Sequence, residues 1–283
     1  MADLVTIQVR DHVADVRLNR PEKYNALSTE MFAAITTAAE RLIENREVRA
    51  VVLSGNGRGF CAGLDMASFE RMSDASGGRS DDAKSDDEKS DGEKETLNLL
   101  ARGDGPENFA QRPGYIWKRV PVPVIAALHG VIYGGGAQIA LGADIRIAAP
   151  DIRMSILEIK WGLIPDMSIT QTLRDIVPLD VAKELTFTGR ILDGPTAKQL
   201  GLVTHVSKNP LEHAMELAAE IATKSPDAIR SGKRLLESAW HADARTGLEL
   251  EAQLQAKLIG TENQVEAIRA NFEKRAPEFK SPK

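Results

Sequence analysis

Two glycine-rich turns are the residues whose types and spacing first suggest chemistry. Gly134-Gly135-Gly136 lies between an apolar run and a helical pattern, and Gly59-Phe60-Cys61-Ala62-Gly63-Leu64-Asp65 follows a second apolar run. Three consecutive glycines cost backbone entropy that a plain turn does not require. Bare backbone admits a ligand closely, and unpaired amides at a helix start can hold an oxyanion. Two such turns suggest two amides converging on one oxygen; tight packing against a neighbouring element is the alternative. Gly55-x-Gly57 also follows a strand pattern, but the third glycine of a dinucleotide-binding G-x-G-x-x-G would fall on Phe60. Neither G-x-x-x-x-G-K-[ST] nor G-x-S-x-G occurs, so P-loop and serine-hydrolase readings lack support.

The other reactive side chains read as structural. His12, His129, His205, His213 and His241 form no H-x-x-x-H pair, and no metal site is expected. Cys61, the one cysteine, has no nearby base in sequence and is expected as a small buried side chain. Asp144 and Arg146 are expected to hold each other or the backbone near the core, His129 to be a satisfied core histidine or, equally, a site residue, and Trp161 to pack, with an acyl pocket as its alternative.

The elements that must position these turns follow from apolar periodicity. Val5, Ile7 and Val9, then Val16 and Leu18, alternate about Asp11-His12 and predict a hairpin. A helix is expected over 29–44, capped by Ser28 or Thr29, with Phe32, Ile35, Ala39, Leu42 and Ile43 on one face. Residues 49–53, 123–128 and 144–148 read as buried strands, and a helix should run from the triple glycine to Gly142. Helical patterns then cover 179–187, a short turn opened by Pro195, 211–223, 227–240, 244–259 and 265–274. The fold class is α/β, with a core over 1–200 and a helical C-terminal region over 201–283.

Composition limits the partners. The 283 residues are 42% apolar, enough for a substantial core, and carry a formal charge of -5. Residues 73–95 hold nine acidic and four basic side chains and no aromatic or branched apolar one, so they read as a disordered surface insertion. They supply the whole net charge. The remainder is balanced and lacks a run of Lys and Arg, which argues against nucleic acid as a partner. Asp3, Arg10, Asp11, Asp15 and Arg17 among alternating apolar positions are neither a signal peptide nor a membrane span. With one cysteine, a cytoplasmic location is expected.

Four segments carry a family resemblance: Asn19-Arg20-Pro21-Glu22-Lys23-Tyr24-Asn25-Ala26-Leu27, Gly59 to Asp65, Gly130 through Gly134-Gly135-Gly136, and Glu158 ahead of Gly162-Leu163-Ile164-Pro165. In order and spacing the chain resembles the crotonase, or enoyl-CoA hydratase/isomerase, superfamily. The resemblance implies a crotonase-like spiral of ββα units closed by a helical trimerisation region, as a homotrimer or dimer of trimers. It implies an acyl-CoA thioester substrate, with coenzyme A part of the substrate and no separate cofactor. By similarity, the amides of Ala62 and Gly135 form the oxyanion hole. Lys23, Tyr24, Ala26, Ala62, Gly63, Leu64, Asp65, Met66 and Gly134 resemble the surface for coenzyme A, and Lys274 resembles a basic residue reaching its phosphates across a subunit boundary.

The same resemblance locates the acid-base residues. Hydratases of this family carry one glutamate just after the triple glycine and a second before the G-x-I-P turn; here these positions are Gln138 and Glu158. An amide cannot exchange a proton near neutral pH, though it can orient a water. Asp166, eight residues past Glu158, resembles the partner carboxylate of dienoyl-CoA isomerases, which also carry an aspartate where Gln138 stands. Catalytic roles are therefore expected for Glu158, Asp166 and Gln138, against structural alternatives: a Glu158 pair with Lys160 or Arg153, and Asp166 as a turn residue after Pro165. The expected activity is enolate stabilisation, with double-bond isomerisation ahead of hydration. Thioester hydrolysis, a lapsed scaffold and an RNA-binding member of the fold remain as alternatives.

Overall fold

A computed structural model describes residues 3–68, 99–103 and 105–282. The acidic stretch 73–95 lies outside the described residues. Strands β1 (Val5–Arg10) and β2 (Val13–Leu18) form the expected hairpin. Asp11 and His12 turn it with φ of 47° and 65°, the left-handed pair that a two-residue hairpin loop needs. Strands β3 (Ala50–Gly55), β4 (Val124–Leu128), β6 (Ile145–Ala148) and β8 (His205–Val206) add in parallel, giving a six-stranded sheet in the order β1-β2-β3-β4-β6-β8. A smaller parallel sheet pairs β5 (Val131–Tyr133) with β7 (Arg153–Ser155), extended by bridges from Cys61 to Ile132 and from Met154 to Leu192. From β3 onward the chain alternates between the two sheets, with β3, β4, β6 and β8 in the large one and Cys61, β5, β7 and Leu192 in or bridged to the small one. This is the spiral architecture expected, and it carries the turns after β3 and β5 to the same edge.

The large sheet is buried on both faces, which is why β3 and β4 read as continuous apolar runs. Helix α1 (Thr29–Glu44) covers one face with Met31, Phe32, Ile35, Ala38, Ala39 and Leu42, and Ser28 caps it by accepting from the Met31 amide at 3.3 Å. Loss of such a cap typically costs about 1 kcal/mol. Helices α2 (Arg112–Arg119), α3 (Gly135–Leu141) and α4 (Ile169–Thr172) surround the site. Helices α5 (Leu179–Thr188) and α6 (Gly194–Gln199) follow.

Helix α7 (Pro210–Ala222) covers the opposite face, where Ala214, Ala218 and Ala222 meet Val13, Ala50, Val52, Ile125, Ala127 and Ile147. Small side chains at four-residue spacing let this helix lie close to the strands. Because β8 and α7 belong to the sheet and its cover, the core extends past residue 200, and the division at 200/201 falls too early. Helices α8 (Pro226–Ala239), α9 (Ala244–Leu258) and α10 (Glu262–Glu273) complete the C-terminal region. Lys233 of α8 is buried and anchors that helix to the core, donating to Trp117 O, Val122 O and Asp144 Oδ2 at 3.1, 3.1 and 2.7 Å.

Candidate active site

In the first glycine turn, most amides are already committed. Ala62 N donates to Tyr24 O at 2.9 Å, the Gly63 amide faces the Cys61 sulfur, and Asp65 N donates to Leu27 O at 3.0 Å. Leu27 N returns a bond to Gly63 O at 2.8 Å, completing a short parallel bridge. The amide left over is that of Leu64. This corrects the expectation for Ala62: its N–H is spent holding the 20–27 loop, and Leu64 is the donor the turn presents. Gly63 has φ +85°, and a Cβ there would lie 2.7 Å from Tyr133 O and 3.7 Å from Gly135 N. The absence of a side chain is what lets the two turns meet.

In the second turn, Tyr133 N is taken by Cys61 O and Gly134 N by Ser155 O, each at 3.0 Å. Gly135 therefore carries the first amide of this turn without a protein acceptor. A Cβ on Gly135 would stand 2.6 Å from Met167 Sδ and 2.8 Å from Leu27 Cδ1, so this backbone is packed from behind.

Sequence reasoning missed the residue that ties the first turn to its support. Asn25 is fully buried in the left-handed region at φ 56°. Its Nδ2 donates to Asn56 O, Gly59 O and Phe60 O at 2.9, 3.0 and 3.1 Å, and its Oδ1 accepts from Arg20 N at 2.8 Å. Asparagine tolerates that φ and offers both donor and acceptor, the only signal the sequence carried. Asn25→Ala should destabilise the fold by about 3 kcal/mol, since an orphaned buried polar group costs roughly 1–3 kcal/mol and several are orphaned at once. Urea denaturation checks this; a loss below half that value would mean the loops hold without it.

The surface expected for coenzyme A is also braced. Arg20 forms an ion pair with Asp65 and donates to Ala26 O at 3.2 Å. This hydrogen-bonded guanidinium holds the Asp65 carboxyl below its ordinary range. Asp65 thus supports the turn, and its other oxygen accepts from Ala67 N at 3.1 Å. Lys23 is exposed, Tyr24 half-buried beneath the Arg58 guanidinium at 4.7 Å, Ala26 buried and Met66 exposed. Arg58 is a cation at this edge that the sequence did not single out. Lys274 caps α10 at φ 54°, and within the protomer no hydrogen bond or ion pair joins it to either glycine turn.

The acid-base residues do come together. Gln138, on α3, is fully buried and donates from Nε2 to Glu158 Oε1 at 2.6 Å, while its Oε1 accepts from Met167 N at 2.8 Å. Glu158 Oε2 is buried with no partner. Burial pushes the Glu158 carboxyl above its ordinary range; the Gln138 bond opposes this and the nearby Asp166 charge adds to it. Asp166 stands at an exposed rim, yet desolvation by the surrounding walls raises its carboxyl as well. Two carboxyls with raised proton affinity, close enough to interact, are the kind of pair expected at a proton-transfer site.

The competing structural roles for Glu158 are not adopted. Arg153 is held by Tyr133 Oη at 2.9 Å, and Lys160 lies over the Trp161 ring at 5.1 Å. Asp144 and Arg146 bind backbone as expected but not each other. Asp144 accepts from Val124 N and Lys233, while Arg146 donates to Leu202 O and Ala143 O. Cys61 is buried with its thiol pushed up to about 12, which makes it a packing residue. His129 bonds Gly57 O at 3.0 Å. Trp161 is 42% exposed and not part of the core. Among the described residues no group of three His, Cys, Asp or Glu side chains could hold a metal ion.

Known proteins resemble this chain in sequence and in fold. Residues 13–276 match the enoyl-CoA hydratase/isomerase family. The chain is 33% identical over 277 residues to mouse enoyl-CoA hydratase domain-containing protein 2, mitochondrial, covering 94% of this chain and 84% of that protein. It is 31% identical over 270 residues to mouse methylglutaconyl-CoA hydratase, mitochondrial, covering 93% and 78%. The crystal structure of enoyl-CoA hydratase from Bacillus anthracis superposes with a TM-score of 0.81 at 28% identity, covering 99% of this chain and all of that one. With the matched span enclosing both glycine turns, Gln138, Glu158 and Asp166, this chain belongs to the enoyl-CoA hydratase/isomerase family.

Proposed function

We propose that this family member shifts a carbon–carbon double bond in an acyl-CoA thioester, with the thioester oxygen held by the Leu64 and Gly135 amides. Ionised Glu158 removes a proton alpha to the thioester or further along the chain. The C–H electron pair enters the conjugated system and charge develops on the thioester oxygen. Protonated Asp166 returns a proton to the far carbon; Glu158 then releases its proton to solvent and Asp166 regains one, so no other reactant is consumed. A single preorganised donor to such an oxygen is worth about 3 kcal/mol.

The observation that carries this reading is the state of Gln138. Both ends of its amide are engaged, to Met167 N and to Glu158, in a fully buried position. Hydration in this family draws on two carboxylates for one water, whereas here the second carboxyl near Glu158 is Asp166. Purified protein given 3,5-dienoyl-CoA should shift its double bonds faster than it hydrates crotonyl-CoA. Brisk hydration without diene rearrangement would reverse the assignment.

The remaining expectations belong to the same proposal. Lys23, Tyr24, Ala26, Gly63 and Met66 border coenzyme A, with Lys274 arriving from a neighbouring subunit. Leu236, Trp240, Leu248, Ile259, Ile268 and Phe272 on and beside α8 to α10 are exposed apolar side chains, which supports a trimer or a dimer of trimers. No helix among the described residues is long and apolar enough to cross a membrane. A single buried cysteine supports a reducing compartment such as the cytoplasm.

A further inference from the structure

The contact between Gln138 and Glu158 has a fixed polarity that neither residue sets. Met167 N–H points at the Gln138 side chain from 2.8 Å, and only an acceptor can meet it. The amide must therefore present its oxygen to Met167 and its NH2 group to Glu158. A flipped amide would set NH2 against N–H and carbonyl oxygen against a carboxylate, two repulsive contacts in a fully buried site. Glu158 Oε1 accordingly accepts a hydrogen bond, while Oε2 is buried and unpartnered.

We propose that Gln138 is a positioning residue: held by the Met167 main chain, it makes Glu158 exchange protons through Oε2 alone and keeps it a single base instead of half of a shared-proton pair. A glutamate at 138 could still accept from Met167 N, but would set a second carboxyl about 2.6 Å from the first. Like charges at that separation cannot both ionise, so one proton would be retained by the pair. The amide supplies the donated hydrogen bond without that proton. Its effect on Glu158 is to lower proton affinity against the opposing pull of burial.

The surrounding charges leave this role to Gln138. Lys160, on the same 3-10 turn, lies over Trp161; Arg153 of β7 is held by Tyr133; Glu184 of α5 pairs with Arg190 at 2.6 Å. Asp166 is the titratable group that acts on Glu158, in the upward direction. The inference rests on Glu158 as the base, and its test is made without substrate so that the two can fail separately.

The measurement is a 13C titration of side-chain carboxyls in substrate-free protein labelled at glutamate, with the Glu158 signal assigned by its loss in Glu158→Gln. Removing the donor in Gln138→Leu should raise the Glu158 midpoint by about one pH unit. Gln138→Glu should raise it further and give two linked steps in place of one. Gln138→Glu keeps the acceptor for Met167 N, so it reports on charge even if Gln138→Leu fails to fold. Midpoints that coincide with wild type, alongside a lowered melting temperature, would reduce Gln138 to a structural role and overturn the proposal. Absence of acyl-CoA turnover in the wild-type protein, with the titration shifts intact, would instead count against the functional reading alone.

Discussion

Glu158→Gln should lower turnover of an acyl-CoA substrate by about three orders of magnitude, within the range expected when a general base is removed, and leave binding of coenzyme A nearly unchanged. The substitution keeps the shape of the side chain, and its carbonyl oxygen can still accept from Gln138 Nε2. What it removes is the oxygen pair that takes a proton. Burial raises the wild-type carboxyl above the ordinary glutamate range, so the rate should climb with pH through an acid limb displaced upward from 4.5, and the variant should lack that limb. The sign for stability is opposite. A carboxyl with a raised native pKa holds its proton more tightly folded than unfolded, so that contribution is lost as pH rises through the raised value. Glu158→Gln has no such loss and should be at least as stable as wild type at pH 8. Steady-state kinetics and urea unfolding read the two effects independently, and unchanged kcat in the variant would remove Glu158 from the mechanism.

Gly135→Ala is the second large effect. The added methyl would stand 2.6 Å from Met167 Sδ and 2.8 Å from Leu27 Cδ1, inside van der Waals contact on both sides. Leu27 is fully buried, so its side chain has little room to turn aside, and its backbone is bonded to Gly63 O and Asp65 N of the first turn. The Met167 side chain must turn aside, and its backbone N–H is the donor that orients Gln138. One methyl therefore presses on the two side chains that back the proposed oxyanion donors and the Gln138 brace. We expect kcat to fall by about 10²–10³, the effect of losing an oxyanion donor, with about 1–3 kcal/mol of overpacking strain. Activity within threefold of wild type would show that Gly135 is not a donor to the reacting oxygen.

Much of the scaffold was readable because burial leaves a period in the chain. The hairpin about Asp11-His12, α1, the strands β3, β4 and β6, and the C-terminal helices lie within a few residues of where apolar spacing put them. Strands β5, β7 and β8 are two or three residues long, too short for a period to register, and exist through pairing to strands distant in sequence. The division near residue 200 missed because β8 and α7 look like the start of a helical tail in sequence, while their apolar faces complete the sheet.

By themselves the residues determined the family, the two glycine turns and the candidate acid-base set of Gln138, Glu158 and Asp166. Tertiary structure decided which atoms are available within them. The Ala62 amide is not available because Tyr24 O takes it, and Leu27 O, from the same loop nearly forty residues earlier, takes that of Asp65. Asp65 becomes a brace through Arg20, and Asn25 emerges as the tie between loops. Gln138 acquires its direction from Met167, 29 residues later. Side-chain type and spacing record which face is buried; hydrogen-bond partners are chosen by segments that meet only when the chain is folded, and those choices leave no period to read.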